Sequence, residues 1–316
     1  MAEATGMLSA APTVVVVGSL NTDLVMRAER FPQPGETLSA RSFQTFIGGK
    51  GLNQAIAAAR QGGRVTMIGR VGDDSFGQTL RAVAAREGID TAHLHTTPGI
   101  HSGIANIVVD DRAENVILIS AGANGQLTPA DVEAARAVIA AADVVLAQLE
   151  VPLETVMAAA SIARQSGVRM ILVPAPARAL PLELMHNVDV LVPNRVEISA
   201  VLPAPTHDLD KDARQILALG TRMVVVTLGS HGAMAFTAEH PADPPLHVPA
   251  FPVEAVDTTG AGDAFAGGLA VALAGGLPLE QAVRRAAACG ALACTVMGAE
   301  PSLPRRAAVD AMLAAG

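Results

Sequence analysis

Aromatic side chains are scarce in this chain, which has 316 residues but only seven phenylalanines and neither tryptophan nor tyrosine. Proteins that bind single-stranded nucleic acids usually stack the bases on aromatic rings, and those that bind duplexes need clustered Lys and Arg. The net charge is −8, and no basic cluster occurs along the sequence. We therefore expect no nucleic-acid partner.

Cysteine and long apolar runs are also few. The two cysteines, Cys289 and Cys294, fit neither a zinc-ligand spacing nor a disulfide framework, so we expect buried thiols in a reducing compartment. Residues 1–12 contain no Lys or Arg and lack the positive start of a signal peptide. The longest apolar stretch, residues 264–278, is shorter than the ~18 residues that a membrane span needs. We expect a soluble, cytoplasmic protein with no membrane partner.

Short runs of apolar, often β-branched residues alternate with alanine-rich runs of helical length. The predicted strands are residues 13–17, 65–68, 144–149, 170–173, 190–192 and 223–227. The predicted helices between and around them include residues 51–60, 76–86, 129–141, 153–164, 212–219 and 264–274. Strands that are apolar on both faces are typical of a parallel sheet covered by helices. The pattern predicts an α/β fold with a mostly parallel central sheet.

Two segments, residues 21–46 and 101–120, interrupt this alternation. The first has a Pro- and Gly-containing stretch with no helical pattern, and the second consists of a strand, a polar turn and a strand. We predict that they form a small antiparallel sheet inserted into a single domain spanning residues 1–316. Such a sheet is suited to act as a lid over a site, although an ordinary edge hairpin gives the same pattern.

A glycine-rich turn, DTTGAGD at residues 257–263, precedes a long apolar helix. Glycines before a helix allow backbone N–H groups to turn toward a bound anion, which the helix dipole also attracts. Asp263 is then predicted in the first helical turn beside that anion, where a carboxylate can accept a proton from a nucleophilic hydroxyl. The alternative is a plain turn in which Asp263 caps the helix.

A second glycine-rich turn, GGKGLNQA at residues 48–55, also enters a helix. It is not a Walker A loop, and no GxGxxG motif occurs, which disfavours a dinucleotide-dependent oxidoreductase. Lys50 and Asn53 share one helix face, which suits a polyhydroxylated ligand. A helix start with a solvated lysine is the alternative.

Polar side chains also follow several predicted strands. They are Asn21, Thr22 and Asp23 after the first strand, Glu150, the pair Asn194 and Glu197, and residues 227–232. In open α/β sheets such positions line the ligand crevice. Each alone is an ordinary loop, but together they predict a binding site. The HExxH and GxSxG motifs of zinc peptidases and α/β-hydrolases are absent from the sequence.

Together these segments resemble the ribokinase branch of the PfkB carbohydrate kinase family, over residues 14–304. GGKGLNQA and DTTGAGD are similar to the two signatures of that family, and residues 120–124 and 174–178 strengthen the likeness. The resemblance implies a ribokinase-like fold, which is a Rossmann-like three-layer α/β/α domain with a small β-sheet lid. In that branch the lid often pairs two subunits, so a homodimer is expected.

The resemblance also implies the residues of the site. The sugar would be held by Asn21, Thr22, Asp23, Gly49, Lys50, Gly51, Asn53, Glu150 and Asp263. Asp263 would be the general base, and the amides of Gly260, Ala261, Gly262 and Asp263 would form an anion hole. ATP would contact Asn194, Thr227, Leu228, Gly229, Ser230, His231, Gly232, Gly262 and Asp263. Mg²⁺ would be held indirectly by Glu197, and K⁺ by Asp257, Thr259, Ala293, Val296, Gly298 and Ser302.

The implied reaction is ATP-dependent phosphorylation of the 5-hydroxyl of D-ribose, giving ribose 5-phosphate and ADP. Two positions depart from the family pattern. Arg195 stands where a glutamate is common, and the apolar residues 286–288 stand where a His or Asn often faces the adenine. The nucleotide preference therefore stays open. The alternatives are another kinase of the family, for deoxyribose, fructose or a nucleoside, and a non-catalytic sugar- or nucleotide-sensing module.

Overall fold

The computed structural model describes residues 11–112 and 114–315. Residues 1–10, which make up most of the segment discussed above as a possible signal peptide, lie outside this range. Ala113, in the second predicted insertion, also lies outside it. The strands, in chain order, are β1 (Thr13–Val17), β2 (Asn21–Arg27), β3 (Ser42–Gly48), β4 (Arg64–Gly72), β5 (Leu94–Thr97), β6 (Gly103–Val109), β7 (Asn115–Ser120), β8 (Val144–Ala147), β9 (Arg169–Leu172), β10 (Val190–Leu191), β11 (Met223–Thr227), β12 (Ala233–Thr237) and β13 (Leu246–Val248).

A nine-stranded sheet forms the centre of the molecule, in the order β13-β12-β11-β10-β9-β8-β1-β4-β5. The strands from β11 to β5 in that order run parallel, and β12 pairs antiparallel with both β11 and β13. The chain leaves β1 toward β4 on one side and later returns to β8 on the other. The sheet therefore has a switch point between β1 and β8, the position at which open α/β sheets bind ligands.

Helices cover both faces of this sheet. They are α1 (Lys50–Arg60), α2 (Ser75–Arg86), α3 (Pro129–Ala134), α4 (Arg136–Ala140), α5 (Leu153–Ser166), α6 (Leu182–Asn187), α7 (Glu197–Ala200), α8 (Leu209–Ala218), α9 (Ala261–Ala274), α10 (Leu279–Ala293), α11 (Ala299–Ser302) and α12 (Arg306–Ala315). Helices α1, α2, α9, α10 and α12 contribute to one core, and α3 to α8 contribute to the other.

Strand β1 shows why both cores form. Val14 and Val16 belong to the first core, whereas Val15 and Val17 belong to the second. Because successive side chains of a strand point to opposite faces, a wholly apolar strand is buried on both sides. The predicted three-layer α/β/α architecture with a mostly parallel sheet is thereby confirmed.

The two insertions form a separate four-stranded sheet in the order β3-β2-β6-β7. The predicted strand–turn–strand of residues 101–120 corresponds to β6 and β7. The prediction of an antiparallel sheet is wrong for one pair of strands. Strands β2 and β3 run antiparallel, whereas the central strands β2 and β6 run parallel. These strands are joined by a long crossover through the large sheet, a connection that allows parallel pairing.

Three smaller expectations also change. The helix predicted at residues 129–141 is two helices that meet at Ala135, and α9 begins at Ala261 rather than Ala264. Cys289 is buried as expected, but Cys294 is only partly buried. None of the helices within residues 11–112 and 114–315 combines the length and apolarity needed to cross a membrane.

Candidate active site

The predicted polar residues meet at the carboxyl edge of the large sheet, above the switch point. The Ser19 hydroxyl, after β1, donates a hydrogen bond of 2.6 Å to Glu150 Oε2, after β8. The same carboxylate oxygen accepts the Lys50 backbone N–H at 3.1 Å. Glu150 therefore joins the two strand ends to the start of α1, and Ser19 is a site residue that the sequence analysis missed.

Helix α1 begins unusually close to the loop that follows β1. Its N-cap, Gly49, has a φ of +87°, and a Cβ there would lie 2.6 Å from the backbone nitrogen of Asn21. Only glycine fits both the left-handed conformation and this separation. The glycine thus explains how Lys50 and Asn53 reach the same site as Asn21.

Asp263 lies in the first turn of α9, as predicted, and is 8% exposed. Its Oδ2 accepts a hydrogen bond from Asn53 Nδ2 at 3.0 Å, and its Oδ1 accepts one from Gln54 Nε2 at 2.9 Å. The helices α1 and α9 can approach this closely because Gly267 faces Ala57, where a Cβ on the glycine would lie 2.6 Å from that of the alanine. Both signature segments therefore converge on one carboxylate.

Lys50 is surrounded by acidic side chains. Burial by itself lowers the pKa of Lys50, but the carboxylates of Asp263, Glu150, Glu197 and Asp23 outweigh it and raise that pKa above its usual value. The lysine is therefore a permanent cation at the centre of the site. Carboxylates only accept hydrogen bonds when ionised, so this arrangement presents several acceptors to the hydroxyls of a ligand.

The carboxylates respond to this crowding. Burial, followed by the charges of Glu150 and Asp263, raises the pKa of Asp23 to about 7. Burial also raises the pKa of Asp263, while Lys50 and the two amide donors counteract it. Such perturbed groups cluster where proteins bind ligands or catalyse reactions.

Asn21 and Thr22 are both buried, at the start of β2. The Asn21 Oδ1 atom accepts a hydrogen bond of 2.7 Å from Asn124 Nδ2, and Asn124 also binds both backbone groups of Leu20. Asn124 thus fixes the loop from the far side, a role the sequence analysis did not assign. Thr22 Oγ1 and Asn53 Oδ1 are buried and have no hydrogen-bond partner within residues 11–112 and 114–315, as expected of groups that bind a polar ligand.

Two adjoining cavities open beside Asp263 and share Thr227, Gly229, Thr258 and Gly262 in their walls. The first, of about 420 Å³, is the more polar of the two and is called the polar cavity below; its wall also includes Lys50, Asn194, Arg195, Glu197, Leu228, Gly260 and Asp263. The second, of about 450 Å³, is mostly apolar and also includes Ser230, Gly232, Phe251, Phe265, Ala287, Ala291 and Cys294. This pair of chambers suits a ligand with an anionic part and a flat apolar part.

Most of the predicted nucleotide residues line these cavities. His231 is the exception: it belongs to the same short 3-10 turn as Gly229 but lines neither cavity. Asn194 and Glu197 cap each other, since the Asn194 Oδ1 atom accepts the Glu197 N–H at 2.9 Å and Glu197 Oε2 accepts the Asn194 N–H at 2.8 Å. Burial raises the pKa of Glu197. A carboxylate in the wall of a cavity with room for several phosphates fits Mg²⁺, which usually keeps several waters and binds phosphates.

The residues predicted for a monovalent cation lie on two segments that Asp257 joins, the loop before α9 and a second loop counted here from the end of α10 to the end of α11. Its carboxylate accepts the Thr259 N–H at 2.9 Å and the Gly298 N–H at 2.8 Å. The backbone N–H of Asp257 donates to the carbonyl of Cys294 at 3.2 Å. Cys294 lies between two of the predicted cation residues, Ala293 and Val296, in the sequence. Ser302 is farther along the second loop and donates to the carbonyl of Ala299 instead.

The residues around Asp257 present oxygen donors, a carboxylate and backbone carbonyls, and backbone carbonyls are donors that K⁺ binds. No group of three His, Cys, Asp or Glu side chains suited to a metal occurs in the part of the chain that the structure describes. Burial alone would raise the pKa of Asp257, but its hydrogen bonds outweigh burial and lower it, so the carboxylate stays ionised.

Known proteins of the same architecture match nearly the whole chain. The family described as pfkB family carbohydrate kinase matches residues 11–306. A ribokinase of Haemophilus influenzae is 39% identical over 297 residues, which are 93% of this chain and 96% of that protein. A deoxyribokinase of Salmonella typhi is 37% identical over 295 residues, which are 92% of this chain and 95% of that protein.

A solved structure agrees with this match. The structure of Arabidopsis thaliana ribokinase complexed with ribose and ATP has a TM-score of 0.87 and 33% identity, and the alignment covers 96% of this chain and 99% of that one. Both the sequence family and the architecture extend over far more than the two signature segments. This chain belongs to the pfkB family of carbohydrate kinases.

Proposed function

We propose that this protein transfers the γ-phosphoryl group of ATP to the 5-hydroxyl of D-ribose, giving ribose 5-phosphate and ADP. The observation that carries the proposal is the position of Asp263, which lines the polar cavity together with Lys50 and lies among the acidic side chains around that lysine. The names of the related ribokinases, and a related structure with ribose and ATP, support the choice of substrates.

Asp263 acts as the general base in this proposal. The hydroxyl proton of the sugar passes to its carboxylate as the hydroxyl oxygen attacks the γ-phosphorus in line, and the bond to the β–γ bridging oxygen breaks. The backbone N–H groups of Gly260, Ala261, Gly262 and Asp263 lie at the start of α9, where the helix dipole favours negative charge. Without a ligand the Ala261 N–H donates to the Thr258 carbonyl at 3.2 Å, so it must leave that carbonyl to join the anion hole. They stabilise the charge on the transferred phosphoryl oxygens, which is the main demand of phosphoryl transfer.

The sugar is held by the residues that converge on Lys50. Asp23 and Glu150 accept hydrogen bonds from ring hydroxyls, and Asn53 Oδ1 and Thr22 Oγ1 supply unpaired polar atoms. Gly49 and Gly51 bring the backbone close to the ligand, and Asn21 lies beside them. Lys50 donates to a hydroxyl or to a phosphate oxygen.

ATP occupies the two adjoining cavities, with the triphosphate in the polar one and the base against Phe251, Ala287 and Ala291. When bound, Mg²⁺ neutralises phosphate charge, and Asn194 and Glu197 would hold it through water. K⁺, when bound between the loops of Asp257 and Gly298, would stabilise the backbone that leads into the anion hole. Asp257, Thr259, Ala293, Val296, Gly298 and Ser302 form the proposed cation loops.

The small sheet joins two copies of the chain in the same proposal. All six residues of the edge strand β7 are exposed, including Val116, Ile117, Leu118 and Ile119. Phe43, on the opposite edge strand β3, is 58% exposed. An exposed apolar edge of this length promotes aggregation of a monomer, and pairing with a second sheet covers it.

A cytoplasmic location and a single domain spanning residues 1–316 stay predictions.

A second candidate is phosphorylation of 2-deoxy-D-ribose, since a deoxyribokinase is nearly as similar as the ribokinases. The density of acceptors around Lys50 favours the sugar with more hydroxyls, because a buried acceptor left unpaired is costly. Fructose and nucleosides are the further alternatives within the family. A sensing module without catalysis would not need the buried carboxylate of Asp263 in the wall of the polar cavity.

The test is ADP formation from ATP and Mg²⁺ with D-ribose, 2-deoxy-D-ribose, D-fructose or a nucleoside, with K⁺ present or replaced by tetramethylammonium. Fast turnover with ribose, a phosphate on carbon 5 by ³¹P NMR and a fall without K⁺ are the expected results. Comparable kcat/KM for ribose and deoxyribose would remove the claimed selectivity. Turnover with fructose or a nucleoside alone would replace the substrate, and no turnover with any acceptor would favour the sensing module.

A further inference from the structure

Two glutamines lie behind Asp263, on the side away from the polar cavity. Gln54, in α1, and Gln148, directly after β8, are both 0% exposed. Gln148 Nε2 donates a hydrogen bond of 2.6 Å to Gln54 Oε1, and Gln54 Nε2 donates one of 2.9 Å to Asp263 Oδ1. Residues far apart in sequence therefore form one chain of amides that ends on the carboxylate.

The Asp263 carboxylate determines the direction in which the hydrogen bonds of these amides run. An ionised carboxylate only accepts hydrogen bonds, so Gln54 must turn its NH₂ group toward Asp263 and its oxygen away. That oxygen then requires a donor, which Gln148 supplies. The Gln148 oxygen is buried against Gly18, where a Cβ would overlap it, and has no partner among the residues that the structure describes. A buried acceptor without a partner is energetically unfavourable. The Gln148 oxygen is in this position because the Gln148 amide nitrogen is turned toward Gln54, which in turn donates to Asp263.

Gln54 differs from Asn53, the other donor to Asp263. The Oδ1 atom of Asn53 is buried without a protein partner, so this amide has an atom available for the sugar. Both amide atoms of Gln54 are bound within the protein. Asn53 and Gln54 both donate to Asp263, but only Gln54 has both of its amide atoms occupied by the protein.

We propose that Gln54 and Gln148 are positioning residues that hold the Asp263 carboxylate in one orientation and in its ionised form, ready to accept the proton of the sugar. This inference rests on the proposed function, in which Asp263 is the base. Gln54 acts directly on the carboxylate, and Gln148 acts only through Gln54.

Other charges also face Asp263. Lys50 of α1 favours its ionised form, whereas Glu150 after β8, Asp23 of β2 and Glu197 of α7 oppose it. A lysine charge is not directional, so it does not fix the orientation of the carboxylate. Loss of a charge-assisted hydrogen bond disfavours the ionised form and raises the carboxyl pKa.

The chain contains a matched control for these glutamines. Gln61 follows α1 at its C-cap, is 2% exposed and donates to the Pro304 carbonyl at 2.9 Å. It is as buried as Gln54 and equally bonded, but Asp263 is not among its partners. A Gln61→Met variant therefore reports the cost of losing a buried amide without touching the base.

The experiment measures the pH dependence of kcat/KM for the sugar in Gln54→Met, Gln148→Met, the double variant and Gln61→Met. Because the base must be ionised, a raised carboxyl pKa moves the acid limb to higher pH. We expect Gln54→Met to move it by on the order of one pH unit, and Gln148→Met by less in the same direction. The double variant should equal Gln54→Met, since Gln148 works through Gln54. Gln61→Met should leave the limb in place.

A second measurement separates this inference from the proposed function. The ¹³C shift of the Asp263 carboxyl, in protein labelled with ¹³C-aspartate and assigned by its loss in Asp263→Asn, gives the pKa without turnover. If the wild-type protein phosphorylates no sugar, the proposed function fails, and this titration still decides the role of the glutamines. If Gln54→Met does not fold, Gln54→Glu places an acceptor of equal size there and should raise the pKa further.

Two results would overturn the inference. One is an acid limb and a carboxyl pKa that stay unchanged in Gln54→Met and Gln148→Met while thermal stability falls as in Gln61→Met. The other is additive shifts in the double variant, which would mean that Gln148 acts independently of Gln54.

Discussion

The carboxylate of Asp23 lies directly against the backbone of Gly48, so that a Cβ at position 48 would overlap both carboxylate oxygens. Gly48 is the last residue of β3, and Asp23 lies on the adjacent strand β2. The first glycine of the GGKGLNQA segment therefore makes room for an acidic side chain of the small sheet. This contact lies within the small sheet, just before the start of α1.

Gly48→Ala should weaken sugar binding by displacing Asp23. The added methyl group overlaps the side chain and not a flexible surface group, so the carboxylate must leave its position. We expect the KM for ribose to rise at least ~10-fold, since a charged hydrogen bond contributes about 1.5–3 kcal/mol, and kcat to change less. Gly125→Ala is the control, because a Cβ there meets only Ala121, at an ordinary 3.6 Å. An unchanged KM in Gly48→Ala would mean that Asp23 does not contact the sugar.

Asp23→Asn should make the ligand-free protein more stable at pH 8 and less able to bind sugar. The pKa of Asp23 is raised from 3.8 to about 7, chiefly by burial, so the folded protein retains a proton that the unfolded chain releases. The stability of the wild type therefore falls as pH rises from about 4 to about 7. Removing the charge should increase the free energy of unfolding at pH 8 by about 2 kcal/mol or more, with little gain near pH 4.

Denaturant unfolding at both pH values, and the KM for ribose, measure the two effects of Asp23→Asn. The control is Asp243→Asn, because Asp243 is an exposed carboxylate whose nearest ionic neighbour is His240 at 3.9 Å. It should leave both quantities almost unchanged. Equal stability of Asp23→Asn and wild type at pH 8 would contradict the argument from burial.

The α/β architecture was predictable because its strands are locally unambiguous. Strands β1 and β11 have the predicted bounds, 13–17 and 223–227, since a run of valines buried on both faces has no competing helical pattern. The parallel pairing of β2 with β6 was not predictable, because the direction of pairing depends on the crossover between distant segments and not on either segment.

The same reasoning separates the predictable from the unpredictable part of the site. Asp263 and Lys50 lie in glycine-rich turns that open helices, a local signal that has a chemical meaning. Gln148 carries no such signal, because its partner Gln54 is 94 positions away and only the fold joins them. The amide network therefore emerged from the structure alone.

Asp263→Asn should abolish most of the turnover and spare sugar affinity. The asparagine amide keeps the size of the side chain but cannot accept the hydroxyl proton as a base, so kcat should fall at least ~10²-fold. Binding of ribose, measured by calorimetry in the absence of ATP, should change only slightly. Asp73→Asn, at an exposed carboxylate that accepts the Gly99 N–H at 3.0 Å, is the control for a lost aspartate. Turnover near the wild-type value would remove Asp263 as the base.

Leu118→Lys should separate the proposed dimer without altering the fold. Leu118 is 68% exposed on the edge strand β7, among neighbours that are also apolar and exposed. A lysine there would place a charge inside the interface formed by two small sheets, and charged residues are what natural edge strands use to prevent pairing. Analytical ultracentrifugation should give a dimer for the wild type and a monomer for the variant at equal concentration.

Leu182→Lys provides the comparison for this experiment. Leu182 is 52% exposed and begins α6, a helix that packs on the large sheet and not on the small sheet that contains β7. It changes the charge and the exposed apolar area in a similar way, so it should remain dimeric. A wild-type monomer at all concentrations would contradict the pairing of small sheets. A dimer that survives Leu118→Lys but dissociates in Leu182→Lys would place the interface on the large sheet's helices, since only a surface that contacts the partner can respond to a buried charge.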